Sequence, residues 1–201
     1  MKTILSSIAI ALAFGALSAH ADVILYAVVD THTLAGTTGY VDFQFNPGPL
    51  TTQSASLKIE NFAGATYVAG SQVDTGGASG GPLPSTVTLN NSTSYNDDYE
   101  SVKFGNTLTF ALDFGGNAIN APNGTAVSGS SFAFSLSDAG GNPLLTNDPN
   151  GFDAVVNINT KGMVSYTLPS PSVTFAPEPT SWLMMGGGAF ALLGLKLRSR
   201  S

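Results

Sequence analysis

The chain has 201 residues and no cysteine, and only 10% of its residues are charged, 7 of them basic and 13 acidic. Segment 22–176 holds twelve carboxylates against three lysines, a net charge of −9. This argues against nucleic-acid partners, because binding them needs several cations to replace the counterions of the phosphates.

The segment 1–21 has the pattern of a secretory signal peptide. Lys2 precedes an apolar run over 4–17, and two small residues, Ala19 and Ala21, flank a single spacer after it. Signal peptidase cleaves after such a pair of small residues. We therefore predict cleavage after Ala21 and export of the mature chain through the inner membrane.

Segment 22–176 predicts one all-β domain. Apolar and polar residues alternate with a period of two, as in strands with one buried face, in four segments. These are 40–45, 54–60, 107–114 and 131–136. Turns rich in Gly, Pro, Asn and Asp separate them from further candidate strands. The further candidates are 23–30, 86–89, 152–158, 163–168 and 173–175.

Eight to ten short strands without helices between them favour an antiparallel β-sandwich, similar to a jelly roll, over a parallel α/β sheet. Since the chain has no cysteine, burial of Phe, Leu and Val must supply its stability. The domain boundaries predicted in this way are 1–21 for the signal peptide, 22–176 for the body and 177–201 for a C-terminal tail.

Two acidic segments, expected to be loops, are the candidates for a cation site. Their oxygen-bearing side chains are Asp97, Asp98 and Glu100 in the first and Asp148, Asn150 and Asp153 in the second. Calcium binds six to eight such oxygens. The spacing of an EF-hand is missing, however, and Asp-Pro-Asn-Gly also forms a β-turn without a metal. The simpler prediction is therefore no cofactor, with calcium at either loop as the open alternative.

The side chains that catalysis would need are few. His32 is the one histidine that remains once the signal peptide is removed, and no Gly-x-Ser-x-Gly sequence occurs. The body has two glutamates, Glu60 and Glu100, and Glu60 alternates outward with Lys58 on one predicted strand. We predict that the protein is not an enzyme and that His32 lies in an exposed loop.

The C-terminal tail combines three signals in order. They are the tripeptide Pro177, Glu178 and Pro179, an apolar run over 182–197, and the basic residues Lys196, Arg198 and Arg200. Sixteen residues make about 24 Å of helix, slightly less than the ~30 Å hydrocarbon core of a bilayer. We predict a single transmembrane helix at 182–197, with the basic residues as a cytoplasmic stop.

This tail resembles the PEP-CTERM protein-sorting domain. The resemblance implies a Gram-negative producer whose inner-membrane exosortase recognises the tail and removes it near Pro177-Glu178-Pro179. The same tail is also called an ice-binding protein C-terminal domain, a label for the sorting signal that predicts no ice binding by the body. The body is similar to small PEP-CTERM proteins of unassigned function, over 34–48 and 130–136 among other segments. A plain membrane anchor is the alternative.

Two functions follow as hypotheses. The leading one is an exported protein, anchored in the inner membrane before processing and then part of the cell surface or exopolysaccharide matrix, with a structural or adhesive role. Its partners would be signal peptidase, exosortase, the membrane and exopolysaccharide. The alternative is an extracellular carbohydrate-binding module, calcium-dependent in one version, in which Tyr67, Tyr95 and Tyr99 are the candidates for stacking on sugars.

Overall fold

The alternating pattern folds as strands because each strand turns its apolar face to a common core. In the computed structural model, which describes residues 23–177, the side chains of Val41, Phe43 and Phe45 are fully buried. Asp42 and Gln44, between them, are half-buried on the opposite face. The inward positions of the other three alternating segments are buried as well. The all-β prediction is thus confirmed.

Eleven strands, all paired antiparallel, lie within residues 23–177. They are β1 (Val23–Asp30), β2 (Thr38–Pro47), β3 (Ser56–Tyr67), β4 (Val73–Thr75), β5 (Ser79–Gly80), β6 (Val87–Asn90), β7 (Asp97–Gly115), β8 (Ser130–Ser137), β9 (Ala154–Ile158), β10 (Val164–Thr167) and β11 (Val173–Pro177). The helix α1 spans Asn117–Asn120, and His32–Leu34 form a 3-10 turn.

Strand β7 is 19 residues long and belongs to two layers of a sandwich-like fold. Its first half pairs with β2 and β4, which continues the layer β10-β9-β8-β2. Its second half pairs with β1 and β3, within a layer that runs from β11 through β1, β7, β3 and β6 to β5. Gly64 lies at the bend, where a Cβ would fall 1.7 Å from the Thr107 carbonyl oxygen. Only glycine therefore fits there.

Phenylalanine rings hold the two layers together. Phe43 of β2 packs edge-on against Phe110 of β7 with ring centroids 5.3 Å apart, and Phe134 of β8 lies 5.0 Å from Phe110. Phe45 and Phe114 repeat this contact across the layers at 6.2 Å. Offset and edge-on pairs of this kind add roughly 0.5–1.5 kcal/mol each beyond the area that they bury.

The first and last strands of the described chain pair with each other. Leu25 lies opposite Pro177 and Val29 opposite Val173, so the start of β1 and the end of β11 lie at the same edge of the fold. The Phe175 ring of β11 meets Tyr166 of β10 at 5.3 Å, which links the outermost strands of the two layers. The points where the predicted signal peptide and tail attach are therefore neighbours.

Most of the predicted targeting segments lie outside the described residues. This applies to the signal peptide 1–21, to Glu178 and Pro179, to the apolar run 182–197 and to the basic residues after it. Within the described part of the chain, 23–177, no helix is long and apolar enough to cross a membrane.

Candidate functional site

The first four residues of β7 were expected in a loop, and that expectation is wrong. Asp97 and Tyr99 point to the outer face of the strand, whereas Asp98 and Glu100 point to its inner face. Their strand is hard to recognise because its inward positions carry carboxylates instead of apolar residues. The structure thus separates Asp97 from the two acids with which we grouped it.

The inner acids lie beside the core. Asp98 is opposite Phe43 and Glu100 is opposite Val41 in the pairing of β7 with β2, and both acids are fully buried. Burial raises the pKa of both carboxyls, of Asp98 to about 8. Glu100 accepts hydrogen bonds from the Leu83 N–H at 3.0 and 3.1 Å through its two oxygens. These bonds tie the loop before β6 to β7.

Two more carboxyls meet on the outer face. Asp42 Oδ2 accepts hydrogen bonds from Gln44 Nε2 at 2.9 Å and from Ser135 Oγ at 3.4 Å, while Asp42 Oδ1 is buried without a partner. Burial, and then contact with the Asp42 carboxyl, raises the pKa of Asp97 well above its ordinary value. The negative charge of a neighbouring carboxylate disfavours ionisation of Asp97, because like charges repel at short range.

Beside this pair lies a cleft of about 230 Å³, which we call the Tyr99 cleft. Its floor is Asp42, Tyr99 and Ser135, and its wall includes Asn150 from the second acidic segment. The Tyr99 ring stacks on Tyr40 with centroids 4.7 Å apart and planes 11° apart. The structure therefore brings both predicted segments to one cleft, although through Tyr99 and Asn150 and not through their carboxylates.

The second acidic segment does not gather its three oxygen-bearing side chains. Asp148 Oδ1 accepts the N–H of Asn150 at 2.9 Å and of Phe152 at 3.4 Å, which closes a turn on itself. Asp153 is fully buried and accepts the Leu136 N–H at 2.8 Å. The segment is thus a turn followed by one buried carboxyl.

The remaining candidates are spread over the surface. His32 is exposed, as predicted, and its Nδ1 lies 2.7 Å from Asp30 Oδ1. The Tyr67 hydroxyl accepts the N–H groups of Gly70 and Ser71 in a turn. Tyr95 is 45% exposed beside Asp97, and burial of its hydroxyl end raises its pKa to about 12.

Residues 23–177 contain no group of three or more His, Cys, Asp or Glu side chains placed to hold a metal ion as they stand. No protein-family model matches the chain, and neither a curated protein nor a solved structure matches it significantly. What the site does must therefore be argued from its own geometry and chemistry.

Proposed function

We propose that the protein is a non-enzymatic component of the cell envelope or exopolysaccharide matrix, exported by its signal peptide and sorted by an exosortase through its PEP-CTERM tail. The supporting observation is the extent of the described body. All eleven described strands lie within residues 23–177, so removal of residues 178–201 leaves each of them intact.

The pairing of β1 with β11 supports the same proposal. The two ends of the described chain lie at one edge of the body, where Leu25 is opposite Pro177. The predicted membrane span begins at 182, shortly after Pro177 in the sequence, so before processing the body would lie close to the membrane surface. An enzyme of the inner membrane could then reach the tripeptide without unfolding the sandwich.

Two variants test the sorting proposal against a plain anchor. In the producing bacterium, a chain lacking 178–201 should escape into the periplasm or medium, since nothing would hold it at the membrane. Glu178→Ala with Pro179→Ala keeps the apolar run and should remain uncut in the inner membrane. Cell fractionation and mass spectrometry of the C-terminus are the measurements, and the wild-type chain should end near 177–179.

Two results would count against the sorting proposal. The first is a double variant that leaves the membrane as the wild type does. The second is a mature wild-type protein that still carries Arg200, which would favour a permanent anchor.

A second function, carbohydrate binding by the body, is favoured by the Tyr99 cleft. Sugar sites combine an aromatic face with a few fixed polar groups, and here the stacked Tyr99 ring lies beside Asp42 and Ser135. Asp42 and Ser135 line the cleft and carry oxygens that can hydrogen-bond to sugar hydroxyls. Similarity to other extracellular sandwiches is analogy of fold only and adds nothing to this argument.

Binding to the exopolysaccharide of the producing strain, measured by calorimetry, tests this second function. Tyr99→Ala should weaken binding about two- to tenfold, the range expected for one aromatic contact. Tyr26→Ala is the matched control, because Tyr26 is exposed on β1 in the other layer. Equal affinities of the wild type and of Tyr99→Ala would remove the cleft from consideration.

A further inference from the structure

Beside the first half of β7, on its inner face, oxygen atoms converge on a single nitrogen. Gln72 Nε2 lies 2.8 Å from Asp98 Oδ1, 3.3 Å from Asp74 Oδ1 and 3.1 Å from the Gly80 carbonyl oxygen. An amide nitrogen has two hydrogens, so it cannot serve three acceptors fully. A cation at this position could bind the Asp98, Asp74 and Gly80 oxygens at the same time.

The burial of Asp98 is a second observation that points to a cation at this position. Its side chain is completely buried, and its Oδ2 atom has no hydrogen-bond partner. Asp74 lies directly opposite Asp98 in the pairing of β4 with β7, and Glu100 lies two residues further along the same face of β7. Both salt bridges within residues 23–177 lie elsewhere, at His32 and Lys58. The Gln72 amide donates to Oδ1 but leaves this buried carboxylate without a counter-charge. An unbalanced buried charge is costly, and proteins compensate it by pairing or by metal coordination.

We propose that Asp74, Asp98 and Glu100 bind one calcium ion, together with the Gly80 carbonyl and the side-chain oxygen of Gln72. In the present conformation the Gln72 amide nitrogen lies among these oxygens. Binding requires the Gln72 side chain to move aside, so that the ion takes the place of the nitrogen and the amide oxygen turns toward the ion. Within residues 23–177 the three carboxylates do not form a metal site as they stand, so calcium must also draw them together.

The chemistry of the ligands selects calcium. Three carboxylates, one carbonyl and one amide oxygen are hard donors, and Asp74 is exposed, so water can complete a shell of six to eight. The ligands come from β4, β5, β7 and the residue before β4, and such a scattered set favours an irregular shell. Calcium accepts such irregular shells, whereas magnesium demands a near-ideal octahedron. This proposal is independent of the sorting tail and of sugar binding.

Calorimetry and thermal melting of the exported full chain, purified in mild detergent at pH 8, test the proposal. Titration with CaCl2 should show one saturable site. Extracellular calcium modules have dissociation constants of about 0.1–1 mM, so 5 mM CaCl2 should raise Tm by roughly 2–8 °C over EGTA.

Three variants locate the site. Asp74→Asn, at an exposed position, should fold normally and weaken calcium binding at least tenfold. Asp98→Asn should abolish binding and raise the Tm measured in EGTA, because it removes a buried charge that no cation balances. Asp97→Asn is the matched control, since Asp97 is the neighbouring carboxyl on the opposite face of β7, and it should bind calcium as the wild type does.

Several results would overturn the proposal. They are no calcium-dependent heat or Tm shift in the wild type, unchanged binding by Asp74→Asn, and loss of binding in Asp97→Asn equal to that in Asp98→Asn. A response to MgCl2 as large as the response to CaCl2 would overturn the choice of calcium.

Discussion

Asp153 is a buried carboxyl whose replacement should reveal a pH-dependent cost of folding. Its Oδ2 atom accepts one hydrogen bond, from the Leu136 N–H, while Oδ1 is buried without a partner. The nearby Ser170 hydroxyl instead donates to the Leu145 carbonyl at 2.7 Å. Burial is the main cause that raises the pKa of Asp153 from 3.8 to about 7. The folded chain therefore holds a proton that the unfolded chain releases.

The magnitude and sign follow from proton linkage. Below pH 3.8 Asp153 is protonated in both the folded and the unfolded chain, so its ionisation does not change the free energy of unfolding. Between pH 3.8 and about 7 only the unfolded chain has released this proton, so the free energy of unfolding falls by about 1.4 kcal/mol per pH unit. Above pH 7 Asp153 is ionised in both the folded and the unfolded chain. The loss in the free energy of unfolding then stays constant at about 4 kcal/mol, which is an upper bound for this group.

Asp153→Asn should abolish this loss, because the amide oxygen can still accept the Leu136 N–H and carries no charge. At pH 8 we expect a gain of about 2–4 kcal/mol, or roughly 4–16 °C in Tm, and at pH 4 almost none. Thermal melts followed by circular dichroism at pH 4, 6 and 8 measure it. Asp138→Asn is the control, because Asn142 holds the pKa of the exposed Asp138 below its ordinary value.

A gain of the same size at pH 4 and pH 8 would contradict this reasoning, since a change in packing, unlike a change in ionisation, does not depend on pH. A Tm at pH 8 no higher than that of the wild type would show that Asp153 is solvated or paired in solution.

Two further predictions concern packing and the backbone. Phe43→Ala should lower the free energy of unfolding by about 3–5 kcal/mol in denaturant titrations, because removal of the ring that packs on Phe110 creates a cavity. Phe43→Leu, the control, should lower it clearly less, because leucine fills part of that space. Gly64→Ala should destabilise by more than Gly124→Ala in thermal melts. Both glycines have positive φ, but only at Gly64 would the new Cβ meet the backbone, while nothing lies within 4 Å of it at Gly124. Equal losses of stability in Gly64→Ala and Gly124→Ala would show that the positive φ alone causes the destabilisation, without a contribution from the backbone contact.

Strands with one apolar face could be predicted from the sequence, because burial imposes a period of two on them. Phe132, Phe134 and Leu136 are fully buried where that period placed them. The first half of β7 was not predicted as a strand, because its inward positions are Asp98 and Glu100, which break the apolar pattern. The strands β4 and β5 were not predicted either. With three and two residues in glycine-rich sequence, they are too short to show an alternation of apolar and polar residues.

The candidate site was only partly predictable, because it depends on pairing between distant strands. Tyr99 was singled out as an aromatic residue, but its stacking on Tyr40 follows from the register of β2 against β7. The convergence on Gln72 follows from the pairing of β4 with β7, which no local pattern indicates. Sequence reasoning can name the chemical groups, whereas register decides which of them meet.

The pairing of β1 with β11 also determines when this chain can finish folding. The Thr174 hydroxyl bonds to the Val28 carbonyl across 146 residues of sequence, so β1 must wait for nearly the whole domain to be available before its outer edge is covered. Folds dominated by such distant pairings form in milliseconds to seconds, since the entropy of closing long loops is lost before contacts compensate it. During that interval β1 exposes unpaired backbone groups, and a chain stopped short of β11 would be prone to aggregate.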